Sequence, residues 1–365
     1  MRCDFCLSKD PKYFKDGVCR RCLHLRHGLY KPVFYDVQGV SGEYTLNFDL
    51  TPFQKDISSQ IVKHMETSDV FLEAVCGAGK TEMCYELIKV SLQKGLKVGW
   101  AIPRRQVVLE LTQRLQDNFK AMKVIPVCEG FTSDLIGDLI VCTTHQLFRY
   151  HQVFDVLILD EPDAFPFAND DLLYGVMKQS VKGHVLYMSA TQDDVLMAKL
   201  DQCIHLKMPL RPNLKPLPVP QVRNSYLHLI KDLKGLKGKR ILIFVPTIKI
   251  AHRLSQFLKV PCITSKTEDK EQVLESYLNH EFDILITTTI LERGVTFLNC
   301  YVFVFEAHHN VFDASSLVQI AGRVLRGSSY EGACYFYGRY KSEGIDKCLN
   351  YLEVMNQLAY RALNP

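Results

Sequence analysis

Short apolar runs separated by amphipathic stretches set the rhythm of this chain. Val70–Val75, Lys97–Ile102, Val124–Val127, Asp138–Cys142, Phe154–Leu159 and His184–Met188 are nearly continuous in apolar residues, the pattern of strands buried on both faces. Between them, Glu82–Ile88 and Gln106–Phe119 carry apolar residues at helical spacing. Thr51-Pro52 opens an earlier helix, with threonine as its N-cap and proline at the first helical position. Strands alternating with helices predict a parallel sheet that binds ligands at the carboxyl ends of its strands. From Leu206 to Val222 the rhythm stops. Pro209, Pro212, Pro216, Pro218 and Pro220 remove donors and fix the backbone, which predicts an extended connector. Beyond it the alternation restarts, with strands at Arg240–Val245, Phe282–Thr287, Tyr301–Phe305 and Ala333–Tyr337. Helices are predicted at Ile248–Leu258 and Ala314–Gly322, and a closing helix at Ile345–Leu363. The fold class is therefore α/β, with a second sheet of its own.

Composition narrows the picture only a little. At 365 residues, 47% hydrophobic and 23% charged, the chain has ample material for large cores. A net charge of +4 permits nucleic-acid binding without arguing for it. No apolar run approaches the ~18 residues of a membrane helix, and the first residues hold no signal-peptide core. Thirteen cysteines in a chain of this size, several inside core strands, read as reduced, cytosolic and partly metal-binding.

Four of those cysteines form two knuckles, Cys3-x2-Cys6 and Cys19-x2-Cys22, the spacing that gathers four thiolates round one tetrahedral Zn²⁺. The intervening segment is too small to bury a core, so the metal is expected to supply much of its folding energy and the module to fold by itself. With every position filled by cysteine, the site would be closed and structural. Arg20 and Arg21 make its surroundings basic, either a DNA contact or a solvated face.

The stretch Ala74-Val75-Cys76-Gly77-Ala78-Gly79-Lys80-Thr81, between a buried strand and a helix, has the grammar of a phosphate-binding loop. Gly77 and Gly79 let the backbone around Ala78 turn its N–H groups towards phosphate oxygens, and the helix N-terminus adds a favourable dipole. Lys80 would reach the β- and γ-phosphates of ATP, and Thr81 would bind Mg²⁺. Asp160-Glu161, ending a buried strand, are the acids such a loop needs: Asp160 for Mg²⁺, Glu161 to polarise the attacking water. Arg323 and Arg326 are predicted three apart on one helical face, suited to a γ-phosphate, with a basic surface helix as the bland alternative.

Taken in order, these motifs resemble the superfamily-two helicase and translocase motors from Thr51 to about Gly338. They are Thr51-Pro52-Phe53-Gln54, the phosphate loop, Pro103-Arg104-Arg105, Thr143-Thr144-His145-Gln146 and Asp160-Glu161-Pro162-Asp163. Ser189-Ala190-Thr191, Phe244-Val245-Pro246-Thr247, Thr287 through Val295, and Gln319 through Arg326 complete the set. With the cysteine module and Asp160 through Pro166, the chain most resembles the ComFA family of late-competence ATPases of Gram-positive bacteria, similar to a small relative of the primosomal helicase PriA. The resemblance implies a four-cysteine zinc module (1–35), a RecA-like lobe (36–206), a proline-rich linker (207–224) and a second RecA-like lobe (225–365). It implies that Gln54 reads adenine, that Gly294 belongs to the nucleotide site, and that Arg323 and Arg326 act as arginine fingers. Ser189, Thr191 and Gln319 would couple hydrolysis to lobe movement, and Arg104, Thr143, Thr144, Thr247 and Thr288 would line a DNA track through phosphate contacts. Two positions depart from the pattern: Pro162 follows the acids where a small residue is familiar, and Leu325 replaces a common glycine, which bears on the aim of Arg326.

The function implied is an ATP-driven single-stranded DNA translocase that assists uptake of transforming DNA. Its expected place is cytoplasmic, at the inner face of the membrane beside competence proteins and an uptake channel, with a homo-oligomer among the states allowed. Two alternatives stand beside it: a duplex-unwinding helicase of replication restart or repair, and a non-hydrolysing nucleotide-dependent DNA clamp or scaffold. The short stretch beyond the second lobe disfavours the first; Glu161 and the paired arginines disfavour the second.

Overall fold

The computed structural model describes residues 2–26, 33, 39–192, 194–200, 202–289, 297–327 and 329–364. It divides into two compact units. The first comprises Met1–Ala74 with Gly79–Met208, and the second Val75–Ala78 with Pro209–Pro365.

The first unit begins with an antiparallel pair of two-residue strands, β1 (Phe14–Lys15) and β2 (Val18–Cys19), and a short helix, α1 (Leu23–Arg26). Helix α2 (Pro52–His64) starts as predicted and closes a full capping box: the Thr51 hydroxyl accepts from the Gln54 N–H, and the Gln54 side chain accepts from the Thr51 N–H at 2.9 Å. A seven-stranded, all-parallel sheet follows. Its strands are β3 (Val70–Ala74), β4 (Val98–Ile102), β5 (Val124–Val127), β6 (Leu139–Thr143), β7 (Phe154–Asp160), β8 (Val181–Ser189) and β9 (Ile204–Met208), in the order β5-β6-β4-β7-β8-β3-β9. Helices α3 (Lys80–Met83), α4 (Tyr85–Gln93), α5 (Arg105–Asn118), α6 (Asp171–Ser180) and α7 (Asp194–Lys199) connect them. Strands β3, β4 and β6 are buried along their whole length, which is why they read as continuous apolar runs.

The second unit has a six-stranded parallel sheet: β10 (Gln221–Arg223), β11 (Arg240–Phe244), β12 (Cys262–Ile263), β13 (Ile284–Thr287), β14 (Cys300–Phe305) and β15 (Cys334–Tyr337), ordered β10-β15-β14-β11-β13-β12. Helices α8 (Leu227–Gly235), α9 (Ile248–Leu258), α10 (Lys270–Leu278), α11 (Ala314–Ala321) and α12 (Glu343–Leu363) accompany it. The α/β class with two parallel-sheet lobes is thus as expected. Among the described residues, no helix is long and apolar enough to cross a membrane.

Three details differ from the sequence expectation. The proline-rich stretch is not extended connector throughout, because its first residues finish edge strand β9 and Gln221 and Val222 begin edge strand β10. Edge strands are short and half-exposed, so β9 shows only alternate burial, a weak signal beside the prolines. The helix after the phosphate loop is interrupted at Cys84, whose N–H bonds back three residues to Thr81. The cysteine module, expected to fold by itself, shares one hydrophobic core with the first unit. Cys3, Phe5, Cys6, Cys19 and Cys22 belong to the same buried cluster as Leu172, Leu173, Val176 and Met177 of α6. Gly175 permits that approach, since a Cβ there would collide with the Cys6 carbonyl, and Gln179 donates to the Asp4 carbonyl.

Candidate functional site

The phosphate loop forms as its glycines require. Gly77 and Gly79 both hold left-handed φ, +82° and +81°, a conformation other residues reach only with strain. The Ala78 N–H closes the turn onto the Val75 carbonyl at 3.0 Å. Gly79 caps α3, so Lys80 and Thr81 occupy the first turn of that helix, where N–H groups and dipole favour an anion.

Within the first unit, Gln54 is buried and its amide nitrogen lies against Gly79, with no room for a Cβ between them. Its oxygen is committed to the α2 cap. Asp160 ends β7 beside Met188 of β8. Burial and the Asp160 carboxylate push the buried Cys84 thiol well up, with Lys80 opposing. Glu161 follows with φ +56°, the left-handed region where a side chain costs about 1–3 kcal/mol. Its N–H donates to the Met188 carbonyl at 2.9 Å.

Ser189 and Thr191 both donate to one carboxylate: Ser189 Oγ to Asp163 Oδ1 at 2.8 Å, and Thr191 Oγ1 to Asp163 Oδ2 at 2.9 Å. The sequence pattern gives Asp163 no role of its own, although a third acid so close behind Asp160 is a readable signal. Nearby, the almost fully buried Glu73 of β3 is held by Gln192 Nε2 at 2.7 Å and Lys207 Nζ at 3.2 Å, an arrangement invisible to local patterns.

Within the second unit, α11 stops at Ala321 and a turn follows, in which Leu325 takes φ +56°. Arg323 and Arg326 therefore do not lie three apart on one helical face, which corrects the sequence expectation. The close approach of Gly322 to Cys76, where a Cβ would clash, accompanies the end of the helix. Arg323 is 1% exposed and sits over the Phe297 ring at 5.6 Å. Arg326 points instead at the loop: a Cβ on Gly77 would lie 3.7 Å from its Cγ, and its Nε donates to the Gly322 carbonyl at 2.8 Å. Gln319 is buried and accepts from the Cys76 thiol at 3.1 Å. Arg211, also buried, donates to the Cys76 carbonyl at 3.0 Å and was not anticipated. Gly294 and its neighbours 290–296 lie outside the described residues.

The five predicted DNA contacts are placed unequally. Thr144 is 0% exposed, which removes its hydroxyl from any surface on which a strand could lie. Thr143 and Thr288 are nearly as buried, and Thr247 spends its hydroxyl on capping α9, accepting from the Ile250 N–H at 3.2 Å. Arg104 is half-buried at the start of α5.

The four cysteines are all buried, and their sulfurs lie within 4.8 Å of one another. Cys3 and Cys22 sulfurs are 3.7 Å apart, and those of Cys6 and Cys19 are 3.8 Å apart. A tetrahedron of ~2.3 Å zinc–sulfur bonds has edges of ~3.8 Å, so the donor set fits zinc. Burial opposes ionisation of both Cys3 and Cys6. At Cys3, hydrogen bonds from the Cys6 and Phe5 main chain outweigh it and the thiol falls to about 7; Cys6 rises to about 11.

Comparison with known proteins identifies the family. The DEAD/DEAH box helicase family matches residues 51–198, and the helicase conserved C-terminal domain matches residues 224–328. Both halves of a helicase-like ATPase are therefore present. Competence protein ComFA of Streptococcus pneumoniae is 36% identical over 338 residues, covering 85% of this chain and 78% of that protein. Competence protein ComFA of Bacillus subtilis is 32% identical over 398 residues, covering 98% and 86%. Among solved structures, Mss116p bound to ssRNA and AMP-PNP superposes with a TM-score of 0.61 at 21% identity, over 79% of this chain and 69% of that one, a likeness of fold alone.

Proposed function

Because this chain belongs to the ComFA family and carries both helicase domains, we propose that it is an ATP-driven translocase on single-stranded DNA, serving the import of transforming DNA. The observation that carries the reading is the paired hydrogen bonding of Asp163 to Ser189 and Thr191. It ties the loop bearing the hydrolytic acids to the adjacent strand end, a link that a passive clamp does not need.

In this reading the main chain of Gly77, Ala78 and Gly79 and the Lys80 ammonium hold the phosphates, and Gln54 orders the loop and reads the base edge. Mg²⁺, held through Thr81 and Asp160, would neutralise charge on the phosphates. Glu161 orients the attacking water and accepts its proton. Arg326, from the turn after α11, meets charge that builds on the γ-phosphate, with Arg323 supporting it from the buried side and Gly294 completing the site. DNA phosphates would be met by Arg104, by Thr247 and by the main chain at Thr143 and Thr288. One Zn²⁺ at Cys3, Cys6, Cys19 and Cys22 would hold together the amino-terminal module that packs on α6. Competence proteins and an uptake channel would be the partners, on the cytoplasmic side of the membrane.

The test is ATP turnover with and without single-stranded DNA, beside strand displacement on a forked duplex. Stimulated turnover with movement but without displacement supports translocation. Processive displacement would make the chain a helicase, and absence of turnover would leave only a clamp.

A further inference from the structure

We infer that the turn at Arg211–Lys215 is a strap that sets the shape of the arginine turn at 322–327, and that Arg211 is a positioning residue for hydrolysis. All of these residues, together with Cys76, lie in the second unit. The inference rests on the reading that Arg326 meets the γ-phosphate.

Arg211 is 2% exposed. Its Nη1 donates to the carbonyls of Val324 at 2.8 Å and Leu325 at 3.2 Å, its Nη2 to Gly322 at 2.9 Å, and its Nε to Cys76 at 3.0 Å. The rest of the strap repeats the pattern. Asn213 Nδ2 donates to Leu325 at 3.1 Å and Gly327 at 3.0 Å, and Lys215 Nζ donates to Ser329 at 2.6 Å. Every one of these acceptors is a main-chain carbonyl. A buried cation bonded to carbonyls alone is held by their dipoles, and in return it dictates where those carbonyls point. The planar fork suits this task, because one guanidinium can address several acceptors in fixed directions; an ammonium cannot. Burial, and then the nearby Arg326, lower the Arg211 pKa to about 10, so it stays charged at neutral pH.

Two consequences concern the arginine turn. Leu325 holds a left-handed φ of +56°, and its carbonyl accepts from both Arg211 and Asn213, so the strap stabilises the strained residue that lies between Arg323 and Arg326. The Gly322 carbonyl accepts from Arg211 Nη2 and also from Arg326 Nε. If Arg326 gives up that carbonyl on turning to a phosphate, Arg211 still donates to it. The strap thus reduces the cost of releasing Arg326, because a buried acceptor left without a donor is expensive.

The experiment compares Arg211→Lys, Arg211→Ala and the half-exposed Asn213→Ala in the full chain, with Arg326→Ala as reference. Readouts are steady-state ATP kinetics, Tm, and hydrogen exchange of the amides in 322–327. Loss of a charged hydrogen-bond set predicts that Arg211→Lys lowers kcat about tenfold or more while the KM for ATP changes about twofold or less. Exchange in 322–327 should rise in the Arg211 variants and, more weakly, in Asn213→Ala at unchanged Tm. Added guanidinium, well below denaturing concentrations, should partly restore kcat to Arg211→Ala. Unchanged kcat in Arg211→Lys overturns the inference. So does a loss of kcat that merely follows a lowered Tm, without local exchange or guanidinium rescue, because Arg211 would then be a general staple. If Arg326→Ala keeps wild-type turnover, the finger reading fails instead, and exchange at 322–327 still decides whether the strap exists.

Discussion

Ser189 Oγ donates to Asp163 Oδ1 at 2.8 Å, joining the end of β8 to the loop that follows Glu161. Thr191 binds the other oxygen of the same carboxylate, and the Glu161 carbonyl accepts from the Ala164 N–H at 3.0 Å inside that loop. These bonds place the Ser189–Thr191 segment within a few bonds of Glu161, the residue proposed to orient the attacking water. Asp163→Ala should lower DNA-stimulated turnover by about tenfold or more, the scale of losing charge-assisted hydrogen bonds. ATP affinity should change little. Nucleotide-binding titrations beside saturated turnover check this; equal losses in both would point to general disorder of the loop.

Lys80→Ala should nearly abolish hydrolysis while Tm stays close to that of the parent chain. Lys80 is half-exposed on the first turn of α3, so its removal deletes charge at the phosphates without opening a core. Full turnover in a well-folded variant would refute the nucleotide site.

Metal analysis of reductively purified protein should find one zinc per chain. Because the cysteine module shares its core with α6, Cys3→Ser should loosen α6 as well as the module, with increased hydrogen exchange across 171–180. Gly175→Ala keeps all four thiolates yet should destabilise the docked module by about 1–3 kcal/mol, the usual cost of overpacking, since its Cβ would strike the Cys6 carbonyl. A Cys3→Ser variant with unaltered exchange in α6 would show that the module is independent after all.

Arg326→Ala and Arg323→Ala should part company. Arg326, half-buried and aimed at Gly77, should lose rate without stability, by up to the roughly 10³- to 10⁵-fold of arginine fingers. Arg323, buried over Phe297, should lose stability as well as rate, because its truncation opens a cavity beneath the turn. Tm and saturated turnover on both variants separate the two effects. A shared loss of DNA affinity with normal turnover would instead make this turn a DNA-binding face.

What the sequence by itself determined is what short-range physics controls. Strands such as β4 and β6, buried on both faces, must be continuously apolar, and the Thr51-Pro52-Phe53-Gln54 cap closes within one helical turn. The phosphate loop needs only its two left-handed glycines, and the four thiolates needed only their knuckle spacing to suggest a shared metal. Tertiary structure decided what depends on groups distant in the chain. Gly175 admits the cysteine module to the first unit's core only because Cys6, far away in sequence, approaches it. Strands β9 and β10 are recruited to sheet edges by pairing with β3 and β15, which no local pattern announces beside so many prolines. Burial withdrew the Thr144 hydroxyl from the surface. Arg211 resembled any linker arginine until carbonyls more than a hundred residues away closed around it, since a main-chain acceptor has no side-chain identity for a sequence to display.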